Sequence, residues 1–272
     1  MTKIIPCKQG MKVRLIGSMP RESYMDMAAS IIHSEKDIDD IVAMPYNSEL
    51  VRKVLDMGHL AIAEFDYFIF AVEGVSRVLE TQLVRKRHAS FSIKSGRKEK
   101  GGKRVYSVVK PSSLDGFKTN VSISKATNVK IEGAMFAMSD ISFDIDFETI
   151  CEILSQYYDN GVAAGLPEED LRYTKPQGTE AKIMLAMNAH ALLDIFKIRC
   201  CKNAQDEISY LFKQILIECK KRSPELFKKA GASCVVLGYC PENKAQHKDC
   251  VGKIPTHNDV VGMIANWRNN NK

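Results

Sequence analysis

The sequence predicts an α+β fold, and three observations carry that reading. Short strand patterns and long helical patterns follow one another without the regular βαβ alternation of a doubly wound parallel sheet. The 272 residues hold no internal repeat and no long Pro/Ser-rich linker, which points to a single domain with mobile ends. At 45% hydrophobic and 26% charged residues, the chain can bury a sizeable core, and this excludes collagen-like, low-complexity and largely disordered proteins.

Met11 to Ile16 alternates and reads as a first strand. In Arg21 to Ser34, Met25, Ala28, Ala29 and Ile32 recur at helical spacing. Asn47-Ser48 precedes a second helix, Glu49 to Met57, with Gly58 placed to close it. Phe68, Phe70 and Val72 interleave with Ile69 and Ala71, a pattern for a strand buried on both faces or nearly so. Val75 to Val84 reads as a short helix running into basic residues. Gly96 to Arg104 is polar and Gly-containing, hence a flexible loop. Val105 to Val109 is a strand stopped by Pro111, and Asn120 to Val129 a second strand pattern. Asp146 to Asn160 reads as a helix ended by Gly161. Thr179 to Arg199 is the longest helical pattern, with Thr179 as its N-cap, and Ala204 to Lys221 is an amphipathic helix ended by Ser223-Pro224. The tail beyond Gly231 has little periodicity.

Net charge is +6, and it is concentrated: nine Lys or Arg and one Glu lie between Arg85 and Arg104. One basic stretch in a nearly balanced chain suggests a single anionic ligand rather than general affinity for nucleic acid. Aromatic stacking residues are sparse there, with only Phe91 and Tyr106 nearby. No stretch approaches the roughly 20 apolar residues of a membrane span, and the N-terminus lacks a signal-peptide core, so a cytoplasmic chain is expected. The eight Cys are too dilute for a disulfide scaffold and are expected as free thiols. Phosphate-loop, dinucleotide, His-Glu-x-x-His and nucleophile-elbow signatures are absent. Chemistry therefore centres on Arg85 to Arg97. Three Arg and two Lys stand there among Ser hydroxyls and a Gly, a donor set suited to a phosphate dianion, although a solvated basic loop has the same composition.

The spacing is more specific. Arg85-x-Arg87, seven residues, Ser95, x, Arg97 resembles the Arg-His-Arg, seven residues, Ser, x, Arg signature of the flavin-dependent thymidylate synthases, the ThyX family. Upstream, His59, Glu64 and the run Phe68 to Arg77, continued by Gln82-Leu83-Val84-Arg85, look like that family's approach to the motif. Downstream, Leu171-Arg172, Pro176-Gln177-Gly178-Thr179 and Met187-Asn188-Ala189 resemble its second block, which continues into Leu192-Leu193, Arg199 and Ala204-Gln205. The likeness spans about Met11 to Cys250.

The resemblance implies a single catalytic domain over residues 1–272, a mixed sheet with long helices, and a homotetramer with active sites at subunit interfaces. It implies reductive methylation of dUMP at C5, with FAD as cofactor and NADPH and methylenetetrahydrofolate, a reduced folate, as co-substrates. It assigns dUMP to Gln82, Arg85, Ser95, Gly96, Arg97, Arg172 and Arg199. Arg97 and Arg172 would neutralise the phosphate, and Arg199 would act catalytically by stabilising negative charge on the uracil carbonyl edge. Asn188, Ile195 and Arg199 lie at i, i+7 and i+11, close to one helical face, although Arg199 could equally serve its helix C-terminus as a favourable cation. Flavin contacts fall on His59, Glu64, Arg85, Lys86, Arg87, Asn188, His190 and Asp194. No Cys nucleophile is implied; Cys200 and Cys201 read as core or interface thiols, and Ser95 as a nucleotide contact.

Departures from the family pattern cluster on the flavin side. Lys86 replaces His, His190 replaces Arg, and Asp194 stands where Asn or His is usual. Ile93 replaces Glu or Gln, Lys98 a common Tyr, and Asp206 a common Trp. Asp194 would repel the flavin diphosphate unless it pairs with Lys86, Lys197 or Lys202. Two alternatives therefore stand beside thymidylate synthesis: a paralogue making another C5-modified pyrimidine such as 5-hydroxymethyl-dUMP, and a nucleotide-binding paralogue without turnover. In the tail, Cys234, Cys240, His247 and Cys250 are candidates for a zinc site, but they lack the compact Cys-x-x-Cys pair, so no metal is expected.

Overall fold

The computed structural model describes residues 2–19, 23–95, 106–123, 129–131, 134–136 and 141–270. The chain gathers into two compact units, Met11–Lys94 with Ala181–Lys272, and Met1–Gly10 with Ser95–Glu180.

The larger unit is built on a four-stranded sheet in the order Lys12–Ser18, Tyr67–Ser76, Glu180–Asn188, Ser90–Ile93. The first two strands pair antiparallel, with a register shift between Leu15 and Gly17; the last two pair antiparallel with Ile183 opposite Ile93. Tyr67–Ser76 buries Phe68, Phe70 and Val72 on one face, while Ile69, Ala71 and Glu73 on the other are only half-buried. The strand is thus one-sided where the apolar run predicts burial on both sides. Helices cover the buried face. Phe227 meets Phe68 edge-on at 5.4 Å, and Phe196 meets Phe212 and Phe227 at 6.3 and 6.0 Å. Each such side chain contributes about 1.5–3 kcal/mol through removal from water.

The predicted helix from Thr179 to Arg199 is in fact two elements: the strand Glu180–Asn188 and the helix Ala189–Arg199. Ala, Met, Leu, Glu and Lys favour a helix locally, but Ala181, Ile183, Leu185 and Met187 are buried at every second position, and membership of the central sheet overrides propensity. Thr179 is therefore no N-cap. Asn188 is: its side-chain oxygen accepts from the Ala191 amide at 2.8 Å. Asn188 thus does not share a helical face with Ile195 and Arg199; Ile195 is itself buried in the core. The predicted helix Val75 to Val84 begins later, at Arg77–Leu83, because Ser76 ends the strand and caps the helix. Asn47 caps Ser48–Asp56, and Gly58 follows it at φ +85°, as the sequence predicts. Lys12–Ser18, Ser23–His33 and Asp206–Arg222 match prediction to within about two residues at most of their ends.

In the smaller unit Thr2–Pro6 pairs parallel with Tyr106–Lys110, and Lys118–Ile123 pairs antiparallel with Ile141–Asp146. Val129–Ile131 pairs with Ala134–Phe136. The predicted strand Asn120 to Val129 runs partly outside the described residues, as does the whole predicted loop Gly96 to Arg104. Gly161 does not end its helix, which runs Phe147–Ala163. A Cβ there would be driven into the Leu171 side chain, so the glycine makes room for packing, and the chain turns at Gly165 with φ +80°. The tail contains the helices Ser233–Leu237 and His257–Asn270, which its weak periodicity did not predict. Among the described residues no helix is long and apolar enough to cross a membrane.

Candidate active site

The larger unit holds most of the predicted site. Ser76 Oγ accepts from the Leu79 amide at 3.1 Å and starts the helix Arg77–Leu83, whose last turn carries Gln82. Arg199 ends the helix Ala189–Arg199, and its Nη1 donates to Gln82 Oε1 at 3.4 Å. Two predicted substrate contacts from opposite ends of the motif set therefore meet. The donor geometry takes up one corner of the half-buried guanidinium. A guanidinium carries three further N–H donors on its two terminal nitrogens, and the Nε–H, and those of Arg199 have no other partner among the described residues.

A second cluster joins the 3₁₀ turn Leu60–Phe65 to the start of the same helix. The Ala189 amide donates to the Asp66 carbonyl at 2.7 Å, pinning the two elements together. This brings His190 Nδ1 to 3.1 Å from Glu64 Oε1, with His190 Nε2 4.0 Å from Asp194 Oδ2. Lys197 Nζ lies 3.2 Å from Asp194 Oδ1, while Lys202 pairs with Asp249 at 3.0 Å. Of the three lysines considered for Asp194, Lys197 is the one that takes its charge. Asn188 is engaged as the helix cap, and His59 is exposed at the head of the 3₁₀ turn.

Arg85, Lys86 and Arg87 follow the Gln82 helix, Arg85 and Arg87 exposed and Lys86 half-buried. Among the described residues their side chains have no carboxylate partner. Three consecutive uncompensated cations fit an anionic group such as a diphosphate. Ile93 pairs across from Ile183 and packs, half-buried, against the core. Gly96 and Arg97 lie outside the described residues. Ser95 is exposed, and Arg172 belongs to the smaller unit, exposed at the start of the turn Arg172–Thr174 behind the buried Leu171.

Residues 14–225 match the family described as thymidylate synthase complementing protein. The chain belongs to that family. It is 36% identical over 238 residues to a flavin-dependent thymidylate synthase of Clostridium tetani, covering 86% of this chain and 91% of the relative. A flavin-dependent thymidylate synthase of Pyrococcus abyssi is 33% identical over 234 residues, covering 84% of each chain. In fold the chain resembles a solved UMP/dUMP methylase, PolB from Streptomyces cacaoi, bound with 5-Br dUMP. The TM-score is 0.61 at 16% identity, over 83% of this chain and 95% of that one.

The cysteines of this family member are free, as predicted. Cys200, one residue beyond Arg199, is buried, and burial pushes its thiol up to about 11. A buried thiol raised in this way carries little thiolate at neutral pH and is poorly suited to nucleophilic attack. Cys201, Cys234, Cys240, His247 and Cys250 line one cavity of about 570 Å³. Among the described residues no three His, Cys, Asp or Glu side chains converge closely enough to hold a metal ion. Sequence reading missed Glu207. It is buried against Ser76, and the signal available was an acid aligned with the mainly apolar face of its helix.

Proposed function

We propose that this chain is a flavin-dependent thymidylate synthase, converting dUMP to dTMP by reductive methylation at C5. The observation that carries the reading is the Arg199–Gln82 contact, in a chain that matches the family through both compact units. Gln82 stands three residues before Arg85, and Arg85, Lys86 and Arg87 have no carboxylate partner among the described residues. On this reading both units form one catalytic domain.

Arg97 and Arg172 neutralise the nucleotide phosphate, and Ser95 contacts the nucleotide as a neutral donor. Arg199 holds a cation at the uracil carbonyl edge, where negative charge develops as C5 becomes nucleophilic, and Gln82 fixes the guanidinium for that task. No enzyme thiol attacks the base. Arg85, Lys86 and Arg87, with His59, Glu64, Asn188, His190 and Asp194, would hold FAD, whose bound isoalloxazine supplies reducing equivalents taken from NADPH. Methylenetetrahydrofolate supplies the carbon. We further propose a cytoplasmic homotetramer with active sites at subunit interfaces, acting on the mononucleotide rather than on nucleic acid. Exposed apolar side chains such as Ile31, Ile32 and Ile38 are surface that such an assembly would cover.

The test is product analysis. Purified protein is incubated with FAD, NADPH, methylenetetrahydrofolate and dUMP, and the nucleotides are resolved by mass spectrometry. Thymidylate is the expected product. A hydroxymethylated nucleotide, or bound dUMP without any product, would overturn the assigned reaction.

A further inference from the structure

Two chain segments in the larger unit are held together at both ends. At one end Arg199 Nη1 donates to Gln82 Oε1 at 3.4 Å. At the other, the Ser76 amide donates to Glu207 Oε1 at 2.7 Å and the Ser76 hydroxyl donates to Glu207 Oε2 at 2.6 Å. Ser76 and Glu207 are each 3% exposed. The same Ser76 oxygen accepts from the Leu79 amide and so begins the helix that ends in Gln82. Glu207 lies in the first turn of Asp206–Arg222, the element that follows Arg199 after a short turn, and the positive end of that helix favours a carboxylate. A buried carboxylate is costly unless both its oxygens are engaged, and here they are.

We propose that Glu207 is a positioning residue for the nucleotide base. It fixes the Ser76-capped helix against the segment carrying Arg199, so that Gln82 and Arg199 meet the ligand as one unit. The inference rests on the proposed function and deepens it, since Glu207 itself touches no ligand.

The experiment compares the full-length protein with Glu207→Ala, Glu207→Gln, Ser76→Ala and Ser76→Thr. It reads melting temperature, the calorimetric Kd for dUMP, and KM against kcat. Val51→Ala, a core substitution in Ser48–Asp56, is the stability-matched control. Glu207→Ala and Ser76→Ala are expected to raise Kd and KM for dUMP about tenfold, the loss typical of a severed charge-assisted contact. Glu207→Gln and Ser76→Thr keep a hydrogen-bonding group of the same reach and should stay within about twofold of wild type. Val51→Ala should lower the melting temperature with Kd unchanged. The proposal falls if Glu207→Ala or Ser76→Ala is destabilised yet binds dUMP like wild type, or if Val51→Ala weakens binding equally. If Glu207→Ala does not fold, Ser76→Ala against Ser76→Thr decides on its own. Failure of wild type to bind dUMP would instead overturn the function and this inference with it.

Discussion

His190 stands between two carboxylates, with its Nδ1 3.1 Å from Glu64 Oε1 and its Nε2 4.0 Å from Asp194 Oδ2. All three belong to the predicted flavin set, and two of them depart from the family pattern. The His190 ring is held by Glu64, while Lys197 answers the added charge of Asp194. Removing the imidazole would leave two carboxylates facing a diphosphate. His190→Ala should therefore weaken FAD binding about tenfold, or about 1.4 kcal/mol. His190→Arg, which supplies a longer side chain with a permanent charge, should bind at least as tightly as wild type. A flavin fluorescence titration reads both; equal affinity in wild type and His190→Ala would remove His190 from the site.

The Arg199–Gln82 contact makes a graded prediction. Arg199→Ala should lower turnover about 100-fold or more, the size expected when a donor aimed at developing charge is lost. Arg199→Lys keeps a point charge but loses the planar fork, and should fall between the two. Gln82→Ala leaves the cation present but unanchored and should cost about tenfold. Steady-state rates with saturating dUMP check the order. A Gln82→Ala defect as large as that of Arg199→Ala would mean that the amide contacts the substrate directly.

Family membership was legible in the sequence because it is written in local spacing. Arg85 to Arg97, Glu64 and Arg199 enter the proposed site by residue type and interval alone, whereas Asn47 and Gly58 follow from the chemistry of helix ends and stand there in the structure. The strand Glu180–Asn188 was not legible as a strand. Its residues favour helix, and only the neighbouring strands decide against one. Gly161 read as a terminator because its use is a tertiary contact with Leu171. Glu207 carries no motif either; its meaning comes from Ser76, 131 residues away. Pairings across such separations leave no trace in a window of neighbours.

Burial of Cys200 predicts inert chemistry beside Arg199. Its thiol sits up at about 11, and that of Cys151 is also pushed up to about 11 by burial. In the native protein near pH 7.5 both should react with iodoacetamide far more slowly than an unhindered thiol, with full labelling only after unfolding. Cys200→Ala should keep turnover within about threefold of wild type. Rapid native labelling of Cys200 that abolishes turnover, together with an inactive Cys200→Ala, would restore a nucleophilic role.

Gly161 supports the approach to Arg172. Ala at this position would press its methyl group into Leu171, the buried residue just before Arg172. Gly161→Ala should cost about 1–3 kcal/mol despite its better helix propensity, as overpacked sites do. Trimming the partner in Gly161→Ala/Leu171→Val should recover part of that loss. Denaturant unfolding measures both. A stabilised Gly161→Ala would show that helix propensity outweighs the contact.

Glu207 also sets a pH dependence. Burial raises its carboxyl pKa, against the lowering effect of the two Ser76 bonds. A carboxyl raised on folding binds its proton more tightly in the folded chain than in the unfolded one. Its favourable contribution is therefore complete below the ordinary Glu value of about 4.3, and is lost as pH rises through the raised value. Glu207→Gln cannot titrate and keeps a neutral group throughout. Wild type should accordingly lose stability relative to Glu207→Gln as pH rises above the ordinary Glu value of about 4.3 and through the raised one. Melting temperatures of the two proteins across that range measure the difference. A constant gap would mean that the Ser76 bonds cancel the cost of burial, and a gap moving the other way would mean that they exceed it.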